Sequence, residues 1–249
     1  MEGKESTLEF AGFPVINTTT QSLCDTLARR LHEARQCVLL FANANFIVQC
    51  RDYLRWLRQD PVLIVNDGIA MDIAARLLHG ERFRENLNGT DFCPAFLSSL
   101  SRPHRLFLVG GQPHVAERAA RVIRERYGHN VVGCADGFGQ LRDPELPARI
   151  NASGAEIVLV ALGNPRQEAW IKEHHSHLDA KLVIGVGALL DFLSGNVRRA
   201  PVWIRRIRCE WLYRLALEPK RLLKRYTVDI LRFAYLITTV RTPRVQGAS

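Results

Sequence analysis

Asp67 is the side chain with the clearest chemical opportunity in this sequence. It stands in Asn66-Asp67-Gly68, behind the apolar run Val-Leu-Ile-Val at 62–65 and ahead of a helical pattern. A carboxylate at such a junction can take a proton from a hydroxyl nucleophile as a general base. It can equally cap the helix that follows, the commoner role of Asp in that setting, and position alone favours the cap. Asp136, in Ala135-Asp136-Gly137-Phe138, carries the same ambiguity. Around these two acids the chain places polar or glycine-bearing turns: Asn43 and Asn45, Gly110-Gly111-Gln112, Gly163-Asn164-Pro165 and residues 185–187. Glycine lets a backbone approach a ligand closely, and the helix N-terminus behind it offers free N–H groups to a phosphate. By itself the signal is weak, because α/β proteins use glycine at such turns generally. No GxGxxG follows the first strand and no GxxxxGK[ST] occurs, which disfavours a dinucleotide or P-loop site.

The elements that must position these residues are short β-branched runs alternating with helical patterns. Strands are predicted at 37–42, 62–65, 105–109, 130–133, 156–162 and 181–186, and helices at 46–58, 69–79, 113–127 and 165–174. Continuous apolar runs separated by helices mean a mostly parallel sheet covered on both faces. The expected fold class is α/β, a Rossmann-like mostly parallel sheet with a basic helical C-terminal appendage. In such a sheet ligands bind beyond the carboxyl ends of the strands, which is where the turns named above fall.

Composition narrows the class further. The 249 residues are 47% hydrophobic and 24% charged, an ordinary globular balance that excludes a disordered chain. No apolar run approaches the roughly 18–20 residues of a membrane span. The first ten residues carry acids and no apolar core, unlike a secretory signal. Six cysteines are scattered without a CxxC pair, so reduced thiols in a cytoplasmic protein are expected, with no disulfide framework and no zinc site.

The net charge of +9 is unevenly placed. Residues 196–249 hold 13 of the 34 basic side chains but 3 of the 25 acidic ones, so this tail carries +10 and residues 1–195 carry −1. A boundary after 195 follows. Within the tail, Pro219 suits the first turn of a final helix. Beyond it Leu222, Tyr226, Ile230, Phe233, Ile237 and Val240 recur at helical spacing. Such a tail can be a solvated face, a nucleic-acid grip or an amphipathic helix at an anionic membrane surface. The regular stripe favours a membrane, or a dock on the body, over nucleic acid.

Taken together, several segments resemble the WecG/TagA/CpsF family of bacterial glycosyltransferases, also called glycosyltransferase family 26. They are VNDGIAMDIAARLLHGERF, LNGTDF, LFLVGGQPHVAERAARVIRERY, VGCADGFG, IVLVALGNPRQEAWI, IGVGALLDFLSGNVRRAPVWI and EWLYRLALEPKRLLKR. The resemblance runs from about residue 17 to 225. It implies an inverting hexosyltransferase that moves a sugar from a UDP-sugar to a polyprenyl-diphosphate-linked saccharide. Such an enzyme works peripherally on the inner face of the cell membrane, in exopolysaccharide or other cell-surface polysaccharide biosynthesis. Residues 1–195 would be the Rossmann-like nucleotide-sugar-binding catalytic domain, and residues 196–249 the membrane- and acceptor-binding appendage.

By the same resemblance Asp67 becomes the base that deprotonates the acceptor, and it can cap the helix as well. Asn43 and Asn45 would contact donor or acceptor. Gly110, Gly111, Asp136, Gly137, Phe138, Gly163, Asn164, Pro165, Gln167 and Glu168 would form the nucleotide pocket, with Phe138 on uracil and Gln167 and Glu168 reading uridine. Arg199 (in Arg-Ala-Pro), Arg214, Arg221, Lys224 and Arg225 would serve the acceptor diphosphate and the membrane, although a structural ion pair is an equally good reading of Arg199. The resemblance and the lack of a clear DxD at a strand end imply no divalent metal and no cofactor.

One departure stands out: Asn86 occupies the place where many members carry an arginine. Arg84, two residues earlier, is the nearest substitute charge, and Asn86 could instead meet a different sugar hydroxyl. A homo-oligomer is compatible with the sequence. The competing readings are a nucleotide-binding α/β protein whose tail holds nucleic acid, and a non-catalytic scaffold of an envelope polysaccharide complex.

Overall fold

Runs of Val, Leu and Ile with no polar alternation can be stable only where both faces are covered, and such runs make the centre of this molecule. A computed structural model describes residues 5–197, 199–201, 204 and 210–240, without the side chains of Arg214 and Arg221. Its eight strands are β1 (Ser6–Phe10), β2 (Phe13–Asn17), β3 (Cys37–Ala42), β4 (Val62–Asn66), β5 (Arg105–Gly110), β6 (Asn130–Ala135), β7 (Ile157–Ala161) and β8 (Leu182–Gly185). They form one sheet in the order β1-β2-β4-β3-β8-β7-β5-β6. Only the β1–β2 pair is antiparallel. The α/β Rossmann-like expectation therefore holds.

The sheet separates two cores. Val38, Leu40, Phe46, Ile47, Met71, Trp170 and Ile171 pack on one face. Leu39, Phe41, Phe96, Val115, Ile123 and Leu190 pack on the other. Alternate residues of β3 thus point to opposite cores, as a strand's two-residue period requires.

Three features depart from the sequence expectations. The β1–β2 hairpin was not anticipated; its two-residue turn, Ala11-Gly12, has φ of 50° and 92°, the left-handed geometry that tight hairpins need. The helix expected over 46–58 is three pieces: Ala44–Gln49, a 3-10 turn at Arg51–Tyr53, and Leu54–Leu57. The turn redirects the chain so that Trp56 and Leu57 join Phe46 and Ile47 in one core. The final helix is split at Thr227 into Pro219–Tyr226 and Val228–Thr239. Its apolar stripe docks on the body: Phe233 is buried in the core that holds Phe46 and Ile47, with Ile230, Ile237 and Val240 packed against it.

Behind the sheet, at the amino ends of β5 and β7, Glu156 accepts hydrogen bonds from Arg102 (2.7 Å) and from the Arg105 backbone N–H (3.1 Å), and pairs with His104 at 3.2 Å. Burial pushes this carboxyl up, but its hydrogen bonds and the neighbouring charges outweigh burial and bring it down to about 2. A carboxyl lowered by folding stabilises the native state above its unfolded value near 4.5, and that stability is lost as pH falls toward 2. Glu156→Gln is accordingly expected to melt lower than wild type at pH 7 and to lose less stability between pH 4.5 and 2. Thermal melts across that range check it, and parallel curves for the two proteins would refute the assignment.

Candidate active site

Two crevices along the carboxyl edge of the sheet carry the candidate residues. Chains leaving neighbouring strands part to opposite faces there, which is the geometry that admits ligands in open α/β sheets. The first crevice lies between β5 and β7. The helix after β5 (Pro113–Tyr127) packs in one core and the helix after β7 (Arg166–His174) in the other. The second lies between β3 and β8, whose following helices (Ala44–Gln49 and Leu189–Leu193) part in the same way.

Asp67 borders the second crevice at the end of β4, beside β3. Its backbone N–H donates to the Ala42 carbonyl at 2.8 Å, extending the ladder by one residue. The helix behind it, Ile69–His79, has Gly68 at its N-cap, with φ 91° and no side-chain capping bond. The N-cap position therefore belongs to Gly68 and not to Asp67. Its carboxylate instead accepts a hydrogen bond from the Asn43 amide at 3.1 Å. The other end of that amide, Asn43 Oδ1, accepts the Phe46 N–H at 3.1 Å and caps Ala44–Gln49. One asparagine thus fixes both a helix start and a carboxylate. Asn45 lies half-buried on the first turn of the same helix.

The segment beneath Asp67 explains the departure at residue 86. Asn86 Oδ1 accepts the Gly68 N–H at 2.6 Å, so this side chain holds the turn that carries Asp67. Buried Asn66 donates to the Glu85 carbonyl at 2.9 Å, and the Glu85 carboxylate in turn accepts the Thr20 N–H at 2.9 Å. Arg84 is exposed, and its charge adds to the effect of the Thr18 and Ser22 hydroxyls in holding the Glu5 carboxyl low. The structure thus gives Asn86 a backbone partner.

The first crevice is lined by backbone. Gly110 (φ 119°) and Gly111 (φ 70°) end β5, and Gly137 donates its N–H to the Gly111 carbonyl at 2.8 Å. Asp136 is spent on its own loop: Oδ1 accepts the N–H groups of Phe138 and Gly139, each at 2.8 Å. That turn leaves Phe138 60% exposed, a costly placement for an aromatic ring that makes no use of it. Gly137, Phe138, Gly139, Arg142 and Arg166 surround an open depression of about 470 Å³.

Arg166, which sequence reasoning passed over, donates to the Gly137 carbonyl at 3.1 Å and so bridges the β6 and β7 loops. Arg142 was missed as well. The available signal was a cation on the first helical residue after a Gly-Asn-Pro turn, with a second one shortly after Asp-Gly-Phe-Gly.

Gln167 and Glu168 sit below this surface. Gln167 Oε1 accepts the Gly187 N–H at 2.8 Å, tying the β7 loop to the β8 loop. Glu168 Oε1 accepts from Asn164 (2.7 Å) and Gln167 (3.0 Å). Burial pushes the Glu168 carboxyl up, against these hydrogen bonds. Pro165 and Gly163 form the turn above them, Gly163 with φ 72°.

Among the described residues, the basic side chains of the tail have separate surroundings. Arg199 donates to Asp91 (2.6 Å), to the Thr90 hydroxyl (3.2 Å) and to Glu210 (3.4 Å), and lies over the Phe192 ring at 5.4 Å. It is a joint between the body and the helix Glu210–Leu217. Lys224 is exposed, and Arg225 stacks over Tyr226 at 5.9 Å. The side chains of Arg214 and Arg221 lie outside the described residues. Among the described residues there is no cluster of His, Cys, Asp and Glu suited to a metal, and no helix is long and apolar enough to cross a membrane.

Fold and site together define a Rossmann-like protein whose sheet edge carries a clamped carboxylate at one end and an exposed aromatic flanked by two arginines at the other. The model of the Glycosyl transferase WecG/TagA/CpsF family matches residues 8–246, and the chain belongs to that family. It is a glycosyltransferase of cell-surface polysaccharide biosynthesis, and membership implies a nucleotide-sugar donor and a glycan acceptor.

Proposed function

We propose that this protein transfers a sugar from a UDP-sugar to a polyprenyl-diphosphate-linked saccharide with inversion and without a divalent metal, using Asp67 as general base. The observation that carries the reading is the Asn43–Asp67 clamp at a sheet-edge crevice, since a base must be held in hydrogen-bond reach of its substrate to be useful. From the end of β4 to the end of β5 is four strand spacings, about 19 Å. Along that edge the donor would lie with uracil on Phe138 and the diphosphate near Gly110, Gly111, Gly137, Arg142 and Arg166. The sugar would then project past the β8 and β3 ends toward Asp67.

In the single displacement, an acceptor hydroxyl attacks the anomeric carbon and gives its proton to Asp67. The bond from that carbon to the β-phosphate oxygen breaks, and its electron pair leaves with UDP. Arginine forks and backbone N–H groups offset the charge that grows on the departing diphosphate. The buried partners of Gln167, Glu168 and Asn164 support a loop-holding role for these residues, and the engaged Arg199 supports a structural one. Asp136 shapes the loop that presents Phe138. The acceptor diphosphate then falls to Lys224 and Arg225, with Arg214 and Arg221 as the remaining candidates, at the inner membrane face. Residues 196–249 would act as the acceptor- and membrane-binding appendage.

A panel of UDP-sugars offered with a polyprenyl-diphosphate monosaccharide, with and without EDTA, tests the proposal. One donor should release UDP at an unchanged rate in EDTA and give a product of inverted anomeric configuration. Retention, or strict dependence on an added metal, would replace this mechanism. Absence of transfer together with a salt-dependent gel shift would favour the nucleic-acid reading.

A further inference from the structure

The helix Ile69–His79 carries an outward stripe that the chemistry above does not use. Its inner face is ordinary: Met71, Ala74 and Ala75 are buried. On its outer face Ile69 is 38% exposed, Ile73 53%, Leu77 76% and Leu78 39%. Ile69, Ile73 and Leu77 are four residues apart, so they form one line down the helix. The line starts two residues after Asp67 and extends about 12 Å away from it.

We propose that this stripe is a lipid-contacting surface, which seats the Asp67 loop at the level where the acceptor's diphosphate leaves the membrane. Three observations select lipid as the occupant. First, the residues are purely aliphatic and together expose roughly 400 Å² of apolar surface, the patch size that marks an interaction site. It suffices for a helix whose apolar face enters the headgroup boundary.

Second, Arg76 and Arg82 outnumber Glu81 among the exposed charges near the far end of the stripe. In a two-fold dimer built on this face, such charges would be brought toward their own copies. In a membrane surface they would meet anionic headgroups.

Third, the stripe has company on the same side of the sheet. The docked helix Val228–Thr239 packs into the same core as Met71 and Ala74, and it exposes Val228 at 41%, Leu231 at 72% and Tyr235 at 67%. Lys220 and Lys224 of the preceding helix are exposed as well. Apolar side chains and cations from two helices over one sheet face are the composition of an interfacial surface.

The role of the stripe in catalysis rests on the proposed function; its affinity for lipid does not. The test uses the full chain and its Ile73→Ser/Leu77→Ser double variant. Both positions are exposed, so equal melting temperatures are expected. Co-sedimentation with vesicles of phosphatidylethanolamine and phosphatidylglycerol should show the double variant binding roughly tenfold more weakly, from the loss of two aliphatic contacts. Turnover on acceptor embedded in those vesicles should fall by a similar factor. Turnover on a short-chain acceptor free in solution should not change.

Equal vesicle binding by variant and wild type overturns the proposal. So does a wild-type dimer in analytical ultracentrifugation that the variant abolishes, since the stripe would then cover a second copy. If vesicle binding falls as expected but no UDP-sugar is consumed by either protein, the surface stands and the transferase mechanism fails.

Discussion

Asp67→Asn is expected to lower kcat about a thousandfold while leaving UDP affinity within roughly threefold of wild type, in the middle of the 10²–10⁴ range that a positioned general base contributes. The substitution keeps the side chain's size. An asparagine at 67 can still accept the Asn43 amide hydrogen through its own carbonyl, so the clamp that now spans 3.1 Å is retained. What it cannot do is receive the acceptor's proton. The loss should therefore appear in the chemical step, about 4 kcal/mol of transition-state stabilisation, and not in KM for the donor. Calorimetry with UDP and single-turnover kinetics on lipid-linked acceptor separate the two quantities. Near-normal single-turnover rates would remove Asp67 from the base role and point to another group along the same edge.

Asp67 was legible in the sequence as a position, but its geometry was not. Its place after a Val-Leu-Ile-Val run told where on a parallel sheet it had to sit, because such runs are buried on both faces and end at the ligand edge. Which residue takes the N-cap depends on one torsional fact, that Gly68 stands there with φ 91°. Glycine adopts that conformation freely, and no periodicity reports whether it has done so.

Long-range polar contacts were hidden for a similar reason. The bond from Gly68 to Asn86 spans 18 residues and the bond from Gly187 to Gln167 spans 20, and neither leaves a local pattern. The family resemblance implies that Gln167 and Glu168 read uridine. Here their exposures are 4% and 1%, since they lace two loops together from below. The stripe of the last helix was visible, but its docking partner, a helix some 180 residues earlier, was not. Strands fared best because continuous burial writes itself directly into composition, whereas the Ala11-Gly12 hairpin turn lacks the Asn-Gly or Asp-Gly that would have announced it.

Gly110→Ala should be nearly as damaging as Asp67→Asn, by a different route. Gly110 closes β5 and pairs with Ala161 of β7, the strand across the first crevice. Its φ of 119° lies where an L side chain is strained, and a Cβ built there would collide with the Ala161 carbonyl, a backbone group with no rotamer to yield. The two costs add: about 1–3 kcal/mol for a disfavoured backbone conformation, and a steric term that can be relieved only by prising β5 from β7. A loss of about 2–4 kcal/mol would lower the melting temperature by roughly 5–15 °C in a domain of this size.

The displacement falls where the donor's diphosphate is proposed to lie, so UDP binding should weaken at least about tenfold, equivalent to 1.4 kcal/mol. Gly163→Ala supplies the control. That glycine also has positive φ, 72°, but a Cβ there meets nothing within 4 Å, so it bears the conformational cost without the collision. Gly163→Ala should melt only a few degrees below wild type and bind UDP with little change. Equal effects at the two sites would mean that backbone strain alone governs both. A Gly110→Ala protein with normal UDP affinity would move the nucleotide away from the β5–β7 crevice.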